Sequence, residues 1–575
     1  MVLRIGRLAA VHLLLGAIPP LLAIRVDEDI AVLIFTGHAR REVERVAHEV
    51  GVVTGGLARY GIGDLDATQH HRLEHVALIA GVERWLGSGV AARDREASRE
   101  SEYEQAPMAG QDHRASVAPL GLMGAEEAAN AQFAHGRYHS TVPNLRPFRA
   151  LRFDVGASDL SSVLAPPYDI IGSEERQELL ARDPHNIVRI ELPADLGTAG
   201  PDDYAAAAAT VSAWRDAGVL VKDAEPTVSV HEMRWTDGEG REQTATGLLC
   251  RLGLEEYGPG AGVLPHEKTH GGPKADRYAL LETTQLNTSP LIFLAGSDPA
   301  ATSAALLALT QREPDAVGTT ADGVSHRLWI CAEDVATPVL QLMSAQPVTI
   351  ADGHHRYETA LTYRRDHESD RPADGEPAWD YALALIYPLD QSPPALPTHR
   401  VIRGRPCGDD LLERLAPYTT IDRLPDRAAL LARMAEPAHF SAGATGTGRI
   451  GIYTGTDHVA AILTVDRAAT DALLEVGLSQ GSRGLDVNAL SVIIDKAFGA
   501  GATELAANGQ LWYVKDAAEA TAQVDAEEAS AAFLLDEMPP AAISLVAEAG
   551  EVMPQKSTYF NPKAPTGLAL SPLEW

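Results

Sequence analysis

The 575-residue sequence predicts a mixed α/β fold of the α+β kind, with strands and helices alternating irregularly. Two patterns carry this expectation. Short segments rich in β-branched and aromatic residues recur between turn formers: TVSVHEMRW, TATGLLCRLGL, SPLIFLAG, HRLWICA, QPVTIA, WDYALALIYPL, RIGIYTG and HVAAILTVD. Between them lie helical patterns, YAAAAATVSAWRDAG, KADRYALLETTQLN and HRYETALTYRRDHE. No fixed period indicates repeats.

Taken in order, residues 1–143 read as a poorly defined N-terminal extension. Arg4 and Arg7 precede an apolar run from Leu8 to Ile24 that superficially resembles a signal peptide, but Pro19 and Pro20 break it and no A-x-A site follows. A helical stretch, TQHHRLEHVALIAGVERWL, then leads into a polar, small-residue-rich segment expected to be partly disordered. The segment reads as an appended piece or an upstream start. From Asn144 to the end the chain is densely patterned and reads as the catalytic region, with a core that includes about 340–400.

Composition narrows the function. Hydrophobic residues make up 45% of the chain, enough for a sizeable core. Cys250, Cys331 and Cys407 lie far apart without CxxC spacing, which argues against a disulfide framework and a cysteine zinc site and fits a reducing cytoplasm. No run of about 18 apolar residues predicts a membrane span. A net charge of −31 would repel a phosphate backbone, so neither nucleic acid nor membrane is expected as a partner. Only seven lysines occur, and Lys268, Lys274, Lys556 and Lys563 fall in Pro/Gly/His-rich stretches that read as loops, as point charges for an anion would.

Three common signatures fail on context. GTGRIG (Gly446–Gly451) runs into a strand where a dinucleotide site needs a helix, so it reads as a turn. GLSQG (Gly477–Gly481) follows a helical pattern where a nucleophile elbow needs a strand, so it reads as a helix C-cap. No phosphate-binding P-loop motif occurs.

One stretch stands out. PVTIADGHHRYETAL (Pro347–Leu361) joins an apolar strand to an amphipathic helix through Asp352 and Gly353. A strand, a glycine turn and a helix gather backbone N–H groups and the helix dipole at one point, which suits an anion. Arg356 can hold phosphate oxygens bidentately, and imidazoles can donate hydrogen bonds or move protons. Asp352 would repel phosphate, so its useful roles are general base or Mg²⁺ ligand. Alternatives remain open: an Asp N-cap with surface histidines, or His354 and Glu358 as transition-metal ligands. HHR also occurs at His70–Arg72, inside a helical pattern without glycine, where it reads as a solvated helix face. Two further segments pair cations with glycines or hydroxyls: LPHEKTHGGPKADR (Leu264–Arg277) and MPQKSTYFNPKAPTGL (Met553–Leu568). LAPPYDI (Leu164–Ile170) reads as a stiff structural turn.

In order, RPFRALR, APPYDII, PHEKTHGGPKADR, ADGHHRYETA, LPTHRV and MPQKSTYFNPKAPTGL resemble the bacterial and archaeal family catalogued as domain of unknown function 1015, from residue 144 to 575. The DGHHR turn further resembles the ParB/sulfiredoxin-like superfamily, which includes free-serine kinases. The resemblance implies a ParB/sulfiredoxin-like core with additional α/β elements, and phosphoryl transfer to a small hydroxyl compound such as L-serine. The donor would be pyrophosphate or a nucleotide (ATP or ADP), with Mg²⁺. Gly353, His354, His355 and Arg356 would cradle the donor, His354 also serving as a catalytic group. Asp352 would be base or metal ligand, with Glu267 the competing base. Lys268, Lys274, Arg277, Lys556, Ser557 and Lys563 would neutralise and hold the phosphates. A nucleotide-binding switch or scaffold without kinase activity is the alternative.

Overall fold

The computed structural model describes residues 142–574 apart from 155, 157–158, 259, 268–273, 297, 406 and 442–443, together with three short strands near the N-terminus. The chain divides into two units, Met1–Met123 and Gly124–Trp575. In the first, Ile30–Ile34 lies between Val2–Leu3 and Leu22–Asp27 in an antiparallel sheet. The helical reading around His70 falls outside the described residues.

The second unit is built on two sheets. The larger contains β1 (Leu145–Arg146), β2 (Thr227–Thr236), β3 (Glu242–Gly253), β4 (Val263–Leu264), β5 (Leu291–Ala295), β6 (Ala316–Thr319), β7 (Ser325–Ala332), β8 (Val348–Asp352) and β9 (Tyr381–Pro388). Their order is β6-β7-β2-β3-β9-β5-β8-β4, with β1 paired to β3. β5–β9 and β8–β4 are parallel and the remaining pairs antiparallel, so the mixed α/β expectation holds. β9 is buried along its whole length, which is why it reads as an unbroken apolar run.

The smaller sheet is antiparallel. It contains β10 (His399–Ile402), β11 (Thr419–Leu424), β12 (Arg449–Thr454), β13 (Ala460–Val465), β14 (Leu511–Val514) and β15 (Ala531–Leu535), in the order β11-β13-β12-β15-β10-β14. The GTGRIG turn enters β12 as expected. GLSQG differs from its reading: the preceding helix ends at Asp471, and Ser479 instead caps the N-terminus of the helix Gln480–Gly484. The glycine and serine there begin a helix, because the intervening residues form an exposed loop that the apolar pattern alone did not reveal.

Alternating side chains of the large sheet feed two cores. Val230, Leu248, Phe293, Ile350 and Ile386 pack with helices Pro299–Ala308 and Glu333–Met343. Met233, Leu249, Leu294, Leu383 and Leu385 share a continuous core with Ile402, Ile450, Ile452 and Phe533 of the small sheet. The C-terminal tail ties both sheets together. Tyr559–Phe560 pairs with Ala395–Leu396, Thr566 with Ala165, Leu570 with Leu151, and Ser571–Pro572 with Leu286–Asn287. Buried Arg251 donates to Ser571 Oγ at 3.0 Å and to the Pro572 carbonyl.

Leu570 is fully buried in this seam. Leu570→Ala is expected to cost about 3 kcal/mol of stability through lost burial and a residual cavity, measured by equilibrium denaturant unfolding. A change below about 1 kcal/mol would mean that the tail is not part of the cooperative core.

Candidate functional site

The strand β8 ends at Asp352, and the helix α2 (His354–Asp366) begins one residue later. The β5–β8 register slips here: Ile292 faces Asp352 while Phe293 faces Ile350. Such a bulge re-aims the strand's last side chain. Gly353 has φ 94°, a left-handed conformation that favours glycine, and a Cβ there would lie 3.0 Å from Leu291 Cδ2 and 3.1 Å from Arg356 Nη2. No side chain caps α2, so its first-turn N–H groups open toward the space beside Asp352.

Asp352 and Lys563, 211 residues apart, form an ion pair of 2.5 Å. The second carboxylate oxygen accepts the Gly353 N–H at 2.9 Å. Burial alone would raise the Asp352 pKa, but Lys563 and Arg356 outweigh it and hold the carboxyl well below its ordinary range. Burial likewise opposes the Lys563 charge, yet Asp352 and Asp169 raise its pKa above the usual lysine value. Both groups are therefore charged at neutral pH.

Two histidines brace the turn from below. His266 Nδ1 donates to the Ile350 carbonyl at 2.5 Å, which leaves Nε2 to accept from the Thr558 hydroxyl at 3.1 Å. The His266 backbone N–H reaches His354 Nε2 at 3.3 Å, and the two rings meet edge to face with centroids 4.6 Å apart. Burial lowers the pKa of His266 to about 4 and that of His354 well below 6.5. His354 is thus a neutral, buried imidazole whose remaining donor is Nδ1, which suits orientation better than proton transfer.

A buried relay sets Arg356. Its Nη1 donates to Ser289 Oγ at 2.8 Å and to the Pro290 carbonyl at 2.9 Å. Ser289 in turn donates to Glu191 Oε1 at 3.0 Å, and Glu191 is fully buried. Arg277, on helix α1 (Lys274–Thr284), donates to the Glu191 carbonyl at 2.9 Å, pairs with Asp276 at 2.6 Å and stacks 4.0 Å over the Tyr168 ring. Glu191 and Ser289 lie in segments where nothing in the sequence distinguishes them from ordinary polar residues.

The sequence-predicted residues therefore divide. Asp352, Gly353, His354, Arg356, Glu267 and Lys563 come together, and the Lys556 backbone N–H lies 3.4 Å from Glu267 Oε1. His355 shares the first turn of α2. Lys268 lies outside the described residues. Arg277, only 5% exposed, braces the Tyr168 turn and Glu191 instead of facing the cradle. Ser557 is buried with its hydroxyl on the Pro554 carbonyl at 2.5 Å, because the tail turns there. Lys274 is paired with Glu358, which also removes Glu358 from a metal site with His354. Among the described residues no cluster of three or more His, Cys, Asp or Glu could hold a metal. On Asp352 the Lys563 ammonium sits where a divalent cation would bind, so these residues do not by themselves fit Mg²⁺.

The chain matches the model of the family described as a protein of unknown function, DUF1015, over residues 145–488, and it belongs to that family. No curated protein matches it. Three solved structures are similar over 54% of this chain at a TM-score of 0.26. A conserved hypothetical protein from Pyrococcus furiosus is 12% identical and covered over 91% of its length. A free serine kinase in complex with AMP is 13% identical and covered over 88%, and SbnI with a C-terminal truncation from Staphylococcus aureus is 10% identical and covered over 84%. Likenesses of this size carry no conclusion about chemistry. No helix among the described residues is long and apolar enough to cross a membrane.

The histidines make stability pH-dependent. An unfolded histidine takes up a proton near pH 6.5, whereas folded His266 resists until about 4, so between these values the unfolded chain binds more protons and stability falls as pH drops. Acidification from pH 7 to 5 is expected to cost on the order of 2 kcal/mol for His266 alone. Thermal melts of the wild type and His266→Gln across that range should show a shallower slope in the variant, and parallel slopes would refute the assignment.

Proposed function

We propose that the protein is a phosphotransferase acting on a small hydroxyl compound, with L-serine as the first acceptor to test. The reading rests on one observation: an Asp–Lys ion pair at the uncapped N-terminus of a glycine-initiated helix, with Arg356 beside it. Helix N–H groups and cations favour an anionic phosphoryl group, and phosphoryl transfer needs chiefly positioning and charge compensation. Pyrophosphate and ADP or ATP are the donors to compare.

Two carboxylates compete to receive the acceptor's proton. Asp352 is engaged by Lys563 and held at a low pKa, which makes it a weak base. Its better role is to hold Lys563 and Arg356 in place beside the donor. Glu267 follows β4, with its Oε1 3.4 Å from the Lys556 backbone N–H, and is assigned to receive the proton as the acceptor oxygen attacks phosphorus and phosphate, AMP or ADP departs from pyrophosphate, ADP or ATP respectively. His354 orients the turn, and His355 and Arg356 hold donor oxygens. Any Mg²⁺ would arrive on the donor phosphates, and no step here passes through it.

The test is incubation of the full chain with L-serine, Mg²⁺ and each donor, followed by phosphorus NMR for O-phosphoserine. Absence of product with every donor and a panel of small hydroxyl compounds would refute the reading. Glu267→Gln is expected to lower kcat by about 10²–10⁴ with little change in donor KM. A wild-type rate in Glu267→Gln combined with an inactive, folded Asp352→Asn would return the base to Asp352.

A further inference from the structure

Lysine is scarce in this chain, and its pairing is informative. Lys222 pairs with Glu574 at 3.3 Å, Lys274 with Glu358, Lys496 with Asp495 at 3.5 Å, and Lys563 with Asp352. Lys515 and Lys556 are the only described lysines that make no ion pair, although the chain carries 79 acidic residues against 48 basic ones. Where carboxylates are so abundant, unpaired ammonium groups call for an explanation.

Lys515 belongs to the neighbourhood of Tyr559, and Lys556 lies on the same tail as that tyrosine. The Lys515 ammonium lies 3.8 Å from the centre of the Tyr559 ring, and the Lys563 ammonium lies 5.0 Å from the same centre. Lys556 stands three residues earlier on the same tail, with its backbone N–H toward Glu267. Lys515 directly follows β14, the edge strand of the small sheet. Tyr513, two residues earlier, lies under the Arg400 guanidinium at 5.4 Å and within electrostatic reach of Glu267. The small sheet thus brings cations toward the place where the large sheet brings Asp352. Asp352 pairs with Lys563, whereas Lys515 and Lys556 form no ion pair among the described residues even though Glu267 stands close by, with its Oε1 3.4 Å from the Lys556 backbone N–H.

Resting on the reading of the Gly353 turn as a phosphate cradle, we propose that Lys515 and Lys556 form a second anion-binding station at Tyr559. A ligand held at the turn would carry a further anionic group there, either an outer phosphate of the donor or the carboxylate of the acceptor. Lys556 supplies an internal control. Its backbone has φ 55°, a conformation glycine adopts more readily than lysine, so Lys556→Gly removes the ammonium while suiting the backbone.

Isothermal titration of the full-length protein with pyrophosphate, orthophosphate and L-serine tests this without requiring turnover. Lys515→Ala is expected to weaken binding of pyrophosphate or of serine at least tenfold, while Lys515→Arg stays within threefold of wild type. Loss confined to pyrophosphate assigns the station to the donor, and loss confined to serine assigns it to the acceptor. Lys556→Gly should show the same loss with an unchanged or higher Tm. Wild-type affinity for both ligands in Lys515→Ala and Lys556→Gly would overturn the proposal, as would a wild type that binds neither. Lysine-dependent binding without any phosphoryl transfer would remove the kinase reading and leave the station standing.

Discussion

The ion pair between Asp352 and Lys563 is the constraint on which the rest of the site depends. It joins the end of a central-sheet strand to a tail 211 residues later, with side chains only 24% and 12% exposed. A charge pair at this depth is held in place because removing either member strands the other in a poorly solvated position. The tail must therefore run past the Gly353 turn, and in doing so it brings Thr558 onto His266 and Tyr559 beneath two ammonium groups.

Around that pair, the turn is held from two directions. Below it, His266 ties the tail to the Ile350 carbonyl and supports His354. Beside it, Glu191 and Ser289 fix Arg356 through hydrogen bonds buried in the core. Farther along the tail, the edge of the small sheet brings Lys515 to the Tyr559 ring. Networks of this kind place a few polar groups within narrow tolerances, which is what positioning chemistry requires. The neutral histidines and the ionised Asp–Lys pair follow from the same burial, since neutral imidazoles evade a desolvation cost that the paired charges offset through each other.

Much of this was legible in the sequence where the signal is local. The segments TVSVHEMRW, HRLWICA and WDYALALIYPL became β2, β7 and β9 because β-branched and aromatic runs between turn formers suit a pleated, buried surface. Asp352-Gly353 between Val348-Thr349-Ile350 and an amphipathic run marked the strand-to-helix turn, and Gly353 does adopt the left-handed conformation there. In the small sheet, strands β10, β11, β14 and β15 were not anticipated, and in β11 and β14 partly exposed side chains blur the alternation. GLSQG was read from the wrong side, as a helix end, because helix ends and beginnings both use glycine and serine.

By itself, then, the sequence determined the local elements, the turn at Gly353, the mixed α/β class and the family, since each depends on residue types at short spacing. Only the tertiary structure decided which cations meet Asp352. Lys563 reaches it while Arg277 turns inward to Glu191 and Tyr168 and Lys274 is taken by Glu358. Electrostatic partnership is set by distance and burial, and neither is written in the spacing of residues hundreds of positions apart.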